Sequence, residues 1–383
     1  MAERVKLGLI YSYNENWIGG TYYIENLVNS LNLVQDSKKP QIIVLIANPQ
    51  DRVQFNKRTN YPYIRFRYFT RPNNNWLARF DFLFKRFTNR HLFNVNIKKA
   101  SIDIIFPYKR KEVFKNAGKP VYWIPDFQEL HLKEYFSKRE LESRHNSHSH
   151  IAKKNSSVVF SSEHAKKDYE NNYKSDGRSY VIPFAVHHPA SLPNIEDTLN
   201  KYGIEKPYFI VCNQFWQHKN HQVVFESLAI LNKKDIKFKV VFTGKDSDYR
   251  KGSTFDHLME MARTSKITEH IIMLGFIPRP DQLALIKGSR AVIQPSFFEG
   301  WSTVVEDAKA LNIPIILSDI EVHQEQNPSN ARFFDPKDAK ELSNIMTGDI
   351  PNEISEIRYY DHQVKFGEIF MNMVETEMAA NFS

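Results

Sequence analysis

A single cysteine in 383 residues excludes a disulfide framework. That residue, Cys212, closes the apolar run Tyr208-Phe209-Ile210-Val211-Cys212, where a buried, inert thiol is expected rather than a nucleophile. The chain also lacks any apolar run long enough to span a bilayer. Its first residues, Met1-Ala2-Glu3-Arg4-Val5-Lys6, lead into a strand and not into a signal-peptide core. A cytoplasmic location is therefore expected, and the Asn-x-Ser sites at Asn155 and Asn381 carry no weight. The dinucleotide fingerprint Gly-x-Gly-x-x-Gly is absent, as is any internal repeat. No metal-ligand spacing stands out: His145, His148 and His150 have no cysteine or acidic partner at a fixed spacing and read as a polar helix face. No metal and no cofactor are expected.

What the chain does have is a rhythm of short apolar strands separated by helix-length polar stretches. Val5 to Tyr11, Ile42 to Ala47, Ile102 to Phe106, Val121 to Ile124, Ser157 to Phe160 and Tyr180 to Ile182 form one set. The pattern restarts with Tyr208 to Cys212, Phe238 to Thr243, Ile271 to Leu274, Ala291 to Gln294 and Ile313 to Leu317. Buried parallel strands with crossover helices produce this pattern, and the length exceeds what one core usually supports. The expected fold is α/β: two doubly wound, Rossmann-like domains, residues 1–188 and 189–357, hinged near His187 to Pro193, with a C-terminal helix within 358–383.

Charge separates the halves. Residues 1–187 hold 31 Lys and Arg against 17 Asp and Glu, whereas residues 188–383 hold 21 against 27. The stretch 51–100 carries 12 basic and 2 acidic side chains, interleaved with aromatics in Arg65-Phe66-Arg67-Tyr68-Phe69 and Arg79-Phe80-Asp81-Phe82-Leu83-Phe84-Lys85-Arg86-Phe87. Such a surface suits an anionic membrane face, with peripheral contact through residues 65–99, or a nucleic acid. A solvated basic face over an aromatic core accounts for it equally.

The densest chemistry lies in Pro295-Ser296-Phe297-Phe298-Glu299-Gly300-Trp301-Ser302-Thr303-Val304-Val305-Glu306-Asp307-Ala308. A strand runs into Pro295, and Val304, Val305, Ala308 and Leu311 recur at helical spacing, so a helix begins near Ser302 or Thr303. Free N–H groups and the positive dipole end at such a start favour a phosphate. Carboxylates beside a phosphate need hydroxyl partners, which a sugar or ribose supplies. The run resembles the Glu-x7-Glu signature of retaining GT-B glycosyltransferases, specifically glycosyltransferase family 4. That resemblance implies Glu299 on the donor sugar and the second acid on the ribose. Here the second position holds Asp307; Glu306, one place early, fits a capping box with Thr303.

The resemblance covers most of the chain, strongly in residues 205–325 and loosely before 190, and implies that the C-terminal helix, 358–383, crosses back onto the first domain. Gly19 and Gly20, in Asn14-Glu15-Asn16-Trp17-Ile18-Gly19-Gly20-Thr21, are similar to the family's Gly-Gly loop, which faces donor phosphates and acceptor. Asn213-Gln214-Phe215-Trp216-Gln217-His218-Lys219 occupies the place of its Gly-Arg-Leu-x-x-x-Lys segment. Lys219 then neutralises the leaving diphosphate, while Gln214 stands where an Arg is usual. Gly275-Phe276-Ile277-Pro278 resembles the base-binding turn, read through the backbone at Ile277. Asp126 survives from a His-Asp pair in which Pro125 replaces the His; His131 is a nearby substitute, and Asp126 serves either the acceptor or the cap of the next helix. Asp246-Ser247-Asp248 has the metal-binding Asp-x-Asp form of a different glycosyltransferase fold and is read as a loop coincidence.

The expectation is thus a retaining enzyme that moves a sugar from a UDP- or GDP-sugar, its co-substrate, to a hydroxyl of a glycan or lipid-linked acceptor in cell-surface polysaccharide or glycoconjugate synthesis. Glu299, Lys219 and Asp126 are the expected catalytic residues. Gly19, Gly20, Gln214, Lys219, Ile277, Glu299, Ser302, Thr303 and Asp307 are expected to bind the donor. A non-catalytic scaffold subunit of a polysaccharide complex would also explain the Gln214 and Pro125 departures. A nucleic-acid-binding protein would explain the basic half but not the acidic site.

Overall fold

Runs such as Ile42-Ile43-Val44-Leu45-Ile46 and Tyr208-Phe209-Ile210-Val211 are apolar on both faces, so each must be covered by helices from two sides. In the computed structural model, which describes residues 3–68, 101–108, 118–246, 254–350 and 358–380 with the backbone of 95–96 and 114–115, they form two parallel sheets. The first contains β1 (Lys6–Ile10), β2 (Gln41–Ile46), β3 (Ile64–Tyr68), β4 (Ile104–Phe106), β5 (Lys119–Ile124), β6 (Ser157–Phe160) and β7 (Ser179–Val181), in the order β3-β2-β1-β4-β5-β6-β7. The second contains β8 (Tyr208–Cys212), β9 (Lys239–Thr243), β10 (Ile271–Gly275), β11 (Ala291–Gln294), β12 (Ile315–Ser318) and β13 (Ala331–Phe334), in the order β10-β9-β8-β11-β12-β13. β8 is central, with Phe209 registered on Val240 of β9 and on Ala291 of β11.

A short parallel pair, Val95–Asn96 with Phe114–Lys115, lies outside the expected set, as do β3 and β13 of the two main sheets. β3 and β13 are edge strands with one-sided burial: Arg65, Arg67 and Tyr68 are exposed in β3, and Arg332 in β13. The start of the basic aromatic stretch is thus the edge of the first sheet, where Phe66 packs edge-on against Phe55 at 5.7 Å. Arg79, Phe80, Phe82, Phe84, Lys85, Arg86 and Phe87, and Asp248 and Asn381, fall outside the described residues.

The helix Tyr359–Ala379 follows the second sheet in sequence yet buries Phe366, Phe370, Met373 and Val374 in the core of the first. A side chain at Gly367 would come within 2.5 Å of the Ser30 carbonyl, so glycine permits its close crossing over the helix Ile18–Leu31. No described helix is long and apolar enough to cross a membrane.

Candidate active site

In the second sheet the strand order reverses between β8 and β11, and in doubly wound sheets ligands bind outside the carboxyl ends of the strands at that reversal. β8 hands the chain to Asn213 and Gln214, and β11 ends at Gln294. Asn213 Nδ2 donates to Gln294 Oε1 at 2.9 Å and ties the two exits together. Gln294 Nε2 and Ser296 Oγ then donate to Glu299 Oε1 at 2.7 and 2.6 Å. Lys219 ends the short turn Gln217–Lys219 and reaches both carboxylate oxygens of Glu299, at 2.7 and 2.8 Å. Asn220 follows in the left-handed region, φ 52°, with Nδ2 donating to the carbonyls of Pro295 and Pro336, and so turns the chain into the helix His221–Lys233. Burial alone would raise the Glu299 pKa; the Lys219 ammonium, with the hydrogen bonds from Lys219 and Ser296, more than offsets it and holds the group below the usual carboxylate range.

The helix Thr303–Leu311 begins as expected, but its cap differs. Gln326 supplies it: the Ser302 N–H donates to Gln326 Oε1 at 3.0 Å, and Gln326 Nε2 donates to the Ser302 carbonyl at 3.1 Å. Glu306 is the fourth helical residue, one beyond the place a capping box requires. Its carboxylate accepts from Gln326 Nε2, Lys309 Nζ and the Tyr359 hydroxyl, so it tethers the C-terminal helix instead of capping its own. Asp307 is fully buried; its Oδ1 pairs with Arg279 and with His188 Nε2 at 2.9 Å, while Oδ2 has no hydrogen-bond partner among the described residues. Burial opposes its charge, but Arg279 and His188 keep its pKa below normal. The Arg279 guanidinium also lies 5.2 Å from the Tyr22 ring of the first domain.

The first domain supplies the opposite wall. A Cβ on Gly20 would come within 2.5 Å of the Trp17 ring, whereas one on Gly19 would meet open space. Trp17, 44% exposed, stacks at 5.6 Å on Trp123, which stacks at 4.1 Å on Tyr23. Asp126 Oδ1 accepts from the Gln128 N–H at 3.2 Å, and burial pushes its pKa up against the pull of Arg144. At the seam, a Cβ on Gly300 would come within 2.6 Å of the Pro125 carbonyl and 2.9 Å of Asp126 Cβ. Gln214 Nε2 donates to the Glu15 carbonyl at 3.1 Å, and Lys245 Nζ lies 3.0 Å from Glu15 Oε2, so the Gln214 position serves domain contact in this structure.

These walls enclose a cavity of about 1290 Å³ lined by Gly19, Gly20, Asp126, Gln214, Lys219, Glu299, Ser302 and Thr303. Ile277 and Asp307 do not line it: Ile277 packs in the core of the second domain, and Asp307 is buried against Arg279 and His188. His131 does not line it either; its Nε2 is 2.7 Å from Asp168 Oδ2, which raises its pKa, and its ring stacks on Phe298. His148 packs its ring on Phe127 and Tyr173, and burial pushes its pKa down to about 4. Sequence reasoning missed Gln294, Ser296, Gln326, Arg279, His188 and Trp17. The available signal was a polar residue just where an apolar strand ends, as at Asn213 and Gln294.

Residues 194–354 match the family model described as Glycosyl transferases group 1, covering the second sheet. The chain is 24% identical over 169 residues to the O-antigen chain mannosyltransferase RfbU of Salmonella typhimurium, a stretch that is 44% of this chain and 45% of that protein. It thus spans less than half the length of that relative. Over 98% of both chains it superposes on a glycosyltransferase from Rickettsia africae with a TM-score of 0.64 at 16% identity. It also superposes on Anabaena HepE in complex with UDP and glucose, TM-score 0.64 at 14% identity, covering 98% of this chain and all of that one. The fold is that of the GT-B glycosyltransferases, two Rossmann-like domains facing a cleft.

Proposed function

We propose that this chain is a retaining GT-B glycosyltransferase of family 4, moving a sugar from a UDP- or GDP-sugar to a hydroxyl of a glycan or lipid-linked acceptor. The observation that carries this reading is the Lys219–Glu299 pair, presented at the strand-order reversal and facing Gly19, Gly20 and Asp126 across one cavity. The UDP bound by HepE and the O-antigen role named for RfbU favour a nucleotide sugar and a surface polysaccharide.

On this reading the diphosphate sits where the helix start points into the cavity. Lys219 and the Thr303 amide carry its charge without a metal, with the Ser302 amide joining once Gln326 yields it. Glu299 accepts from hydroxyls of the donor sugar, and Asp307 Oδ2 is the acceptor for the ribose once the Tyr22–Arg279 contact parts. Ile277 reads the base through its backbone. The sugar–phosphate bond breaks on the face from which the acceptor attacks, the departing diphosphate takes the acceptor proton, and Asp126 positions the acceptor. Residues 65–99 hold the enzyme against anionic lipid. Release of UDP or GDP from a panel of nucleotide sugars tests the reading; a chain that folds and releases neither from any donor is a scaffold.

A further inference from the structure

His131 meets His164 and Asp168, more than thirty residues later in the chain, behind Phe298 and outside the cavity. His164 and Asp168 stand one helical turn apart on the helix Glu163–Asn172, so both project from one face. His131, from the one-turn helix Gln128–His131, brings Nε2 to 2.7 Å from Asp168 Oδ2, and His164 Nε2 lies 3.5 Å from the same oxygen. One donor atom from each residue falls within 4.8 Å of the others. His164 Nδ1 bonds the Glu321 carboxylate of the second domain, which fixes the ring so that Nε2 presents its lone pair inward. Glu325, on the same helix as Glu321, accepts from the Glu163 and His164 N–H groups at 2.8 and 2.7 Å. The Phe298 ring closes the cavity side, 5.2 Å from His131 and 6.1 Å from His164.

We infer that His131, His164 and Asp168 form a binding site for one zinc-type divalent ion at the seam between the domains. Two imidazoles and a carboxylate suit such an ion, with a fourth position left to water. Bonds of about 2.1 Å in tetrahedral geometry set donor atoms roughly 3.4 Å apart. The His164–Asp168 separation already matches that spacing, and the His131–Asp168 contact widens as the metal replaces the shared proton. Because Glu321 and Glu325 hold the ligand helix from the second domain, the ion braces the closed arrangement. It is separate from the diphosphate chemistry, since none of its donors lines the cavity.

Zn²⁺ titrated calorimetrically into the untagged full chain, stripped of metal beforehand, tests the site. One equivalent binding at micromolar affinity or tighter is expected. His131→Ala, His164→Ala and Asp168→Asn should each weaken it at least about a hundred-fold, and Glu321→Gln about ten- to a hundred-fold. His257→Ala, on the exposed side of the helix Thr254–Thr264, should leave it unchanged. Thermal melts establish that each variant is folded, and His131→Gln replaces any that is not. Binding only at millimolar Zn²⁺, or equal affinity in the ligand variants, would overturn the site.

Discussion

Lys219 Nζ lies 2.7 and 2.8 Å from the two oxygens of Glu299, so the pair bridges the loops that leave β8 and β11. Gln294 and Ser296 saturate the remaining acceptor capacity of Oε1. A buried pair held this way is poised for exchange: an incoming diphosphate competes for the ammonium, and donor hydroxyls compete for the carboxylate. Removing one partner strands the other, which costs far more than the pair contributes.

Glu299→Gln should therefore lower kcat by about a hundred-fold while changing nucleotide affinity little, because the carboxylate positions the sugar whose bond breaks. Steady-state kinetics with a matched UDP or GDP titration measures both. Unchanged turnover would remove Glu299 from the chemistry. Lys219→Met should destabilise the fold by about 3 kcal/mol and raise the Glu299 pKa, and restoring neutrality with Glu299→Gln should recover part of that loss.

The two neighbouring acids should separate by readout. Asp307→Asn leaves Arg279 with a weaker partner and removes the proposed ribose acceptor, so nucleotide affinity should fall about ten-fold. Glu306→Gln weakens contacts to Lys309, Gln326 and Tyr359 and should cost about 1–3 kcal/mol of stability with affinity intact. If instead Glu306→Gln abolishes nucleotide binding and Asp307→Asn does not, the ribose belongs to Glu306.

Gly300→Ala tests the seam. Its φ is not left-handed, so the new methyl group is resisted by the Pro125 carbonyl, at 2.6 Å, and by Asp126 Cβ, at 2.9 Å, and not by backbone strain. The domains should part slightly, with kcat/KM falling at least about ten-fold and little change in the melting of the second domain. Wild-type kinetics in Gly300→Ala would mean that closure at this contact is dispensable.

How much of this was legible in the sequence depended on burial. Central strands such as β2 and β8 are apolar on both faces and announce themselves; β3 alternates Arg65 and Arg67 with Ile64 and Phe66 and was hidden by its solvent face. Glu299 was legible because Gly300 and a helix start flank it. Arg279, His188 and Gln326 are single polar residues without periodic neighbours, and their roles arise only when the fold brings them to Asp307 and Ser302. Glu306 was misread because the pattern Thr303-x-x-Glu306 fits a capping box, yet the helix starts at Thr303 itself, which moves Glu306 out of register.

His187 links the domain junction to pH. Its Nε2 lies 2.8 Å from Ser30 Oγ and its backbone N–H donates to Asn26 Oδ1, so the ring is held against the helix Ile18–Leu31. Burial, then the neighbouring His188, pushes its pKa down to about 4. In the unfolded chain the imidazole titrates near 6.5. Above that value both states are neutral and stability is full. Between about 6.5 and 4 the unfolded chain binds a proton that the native chain refuses, so stability falls as pH falls. For His187 alone the loss approaches about 3 kcal/mol by pH 4. His148, also near 4, and His221, pushed by burial and Lys219 to about 3, act in the same direction. His187→Gln keeps a partner for Ser30 but cannot ionise. Urea unfolding at pH 7.5 and 4.5 should show a fall about 2–3 kcal/mol smaller in the variant than in the wild type. Equal falls would mean that His187 is already protonated in the native junction.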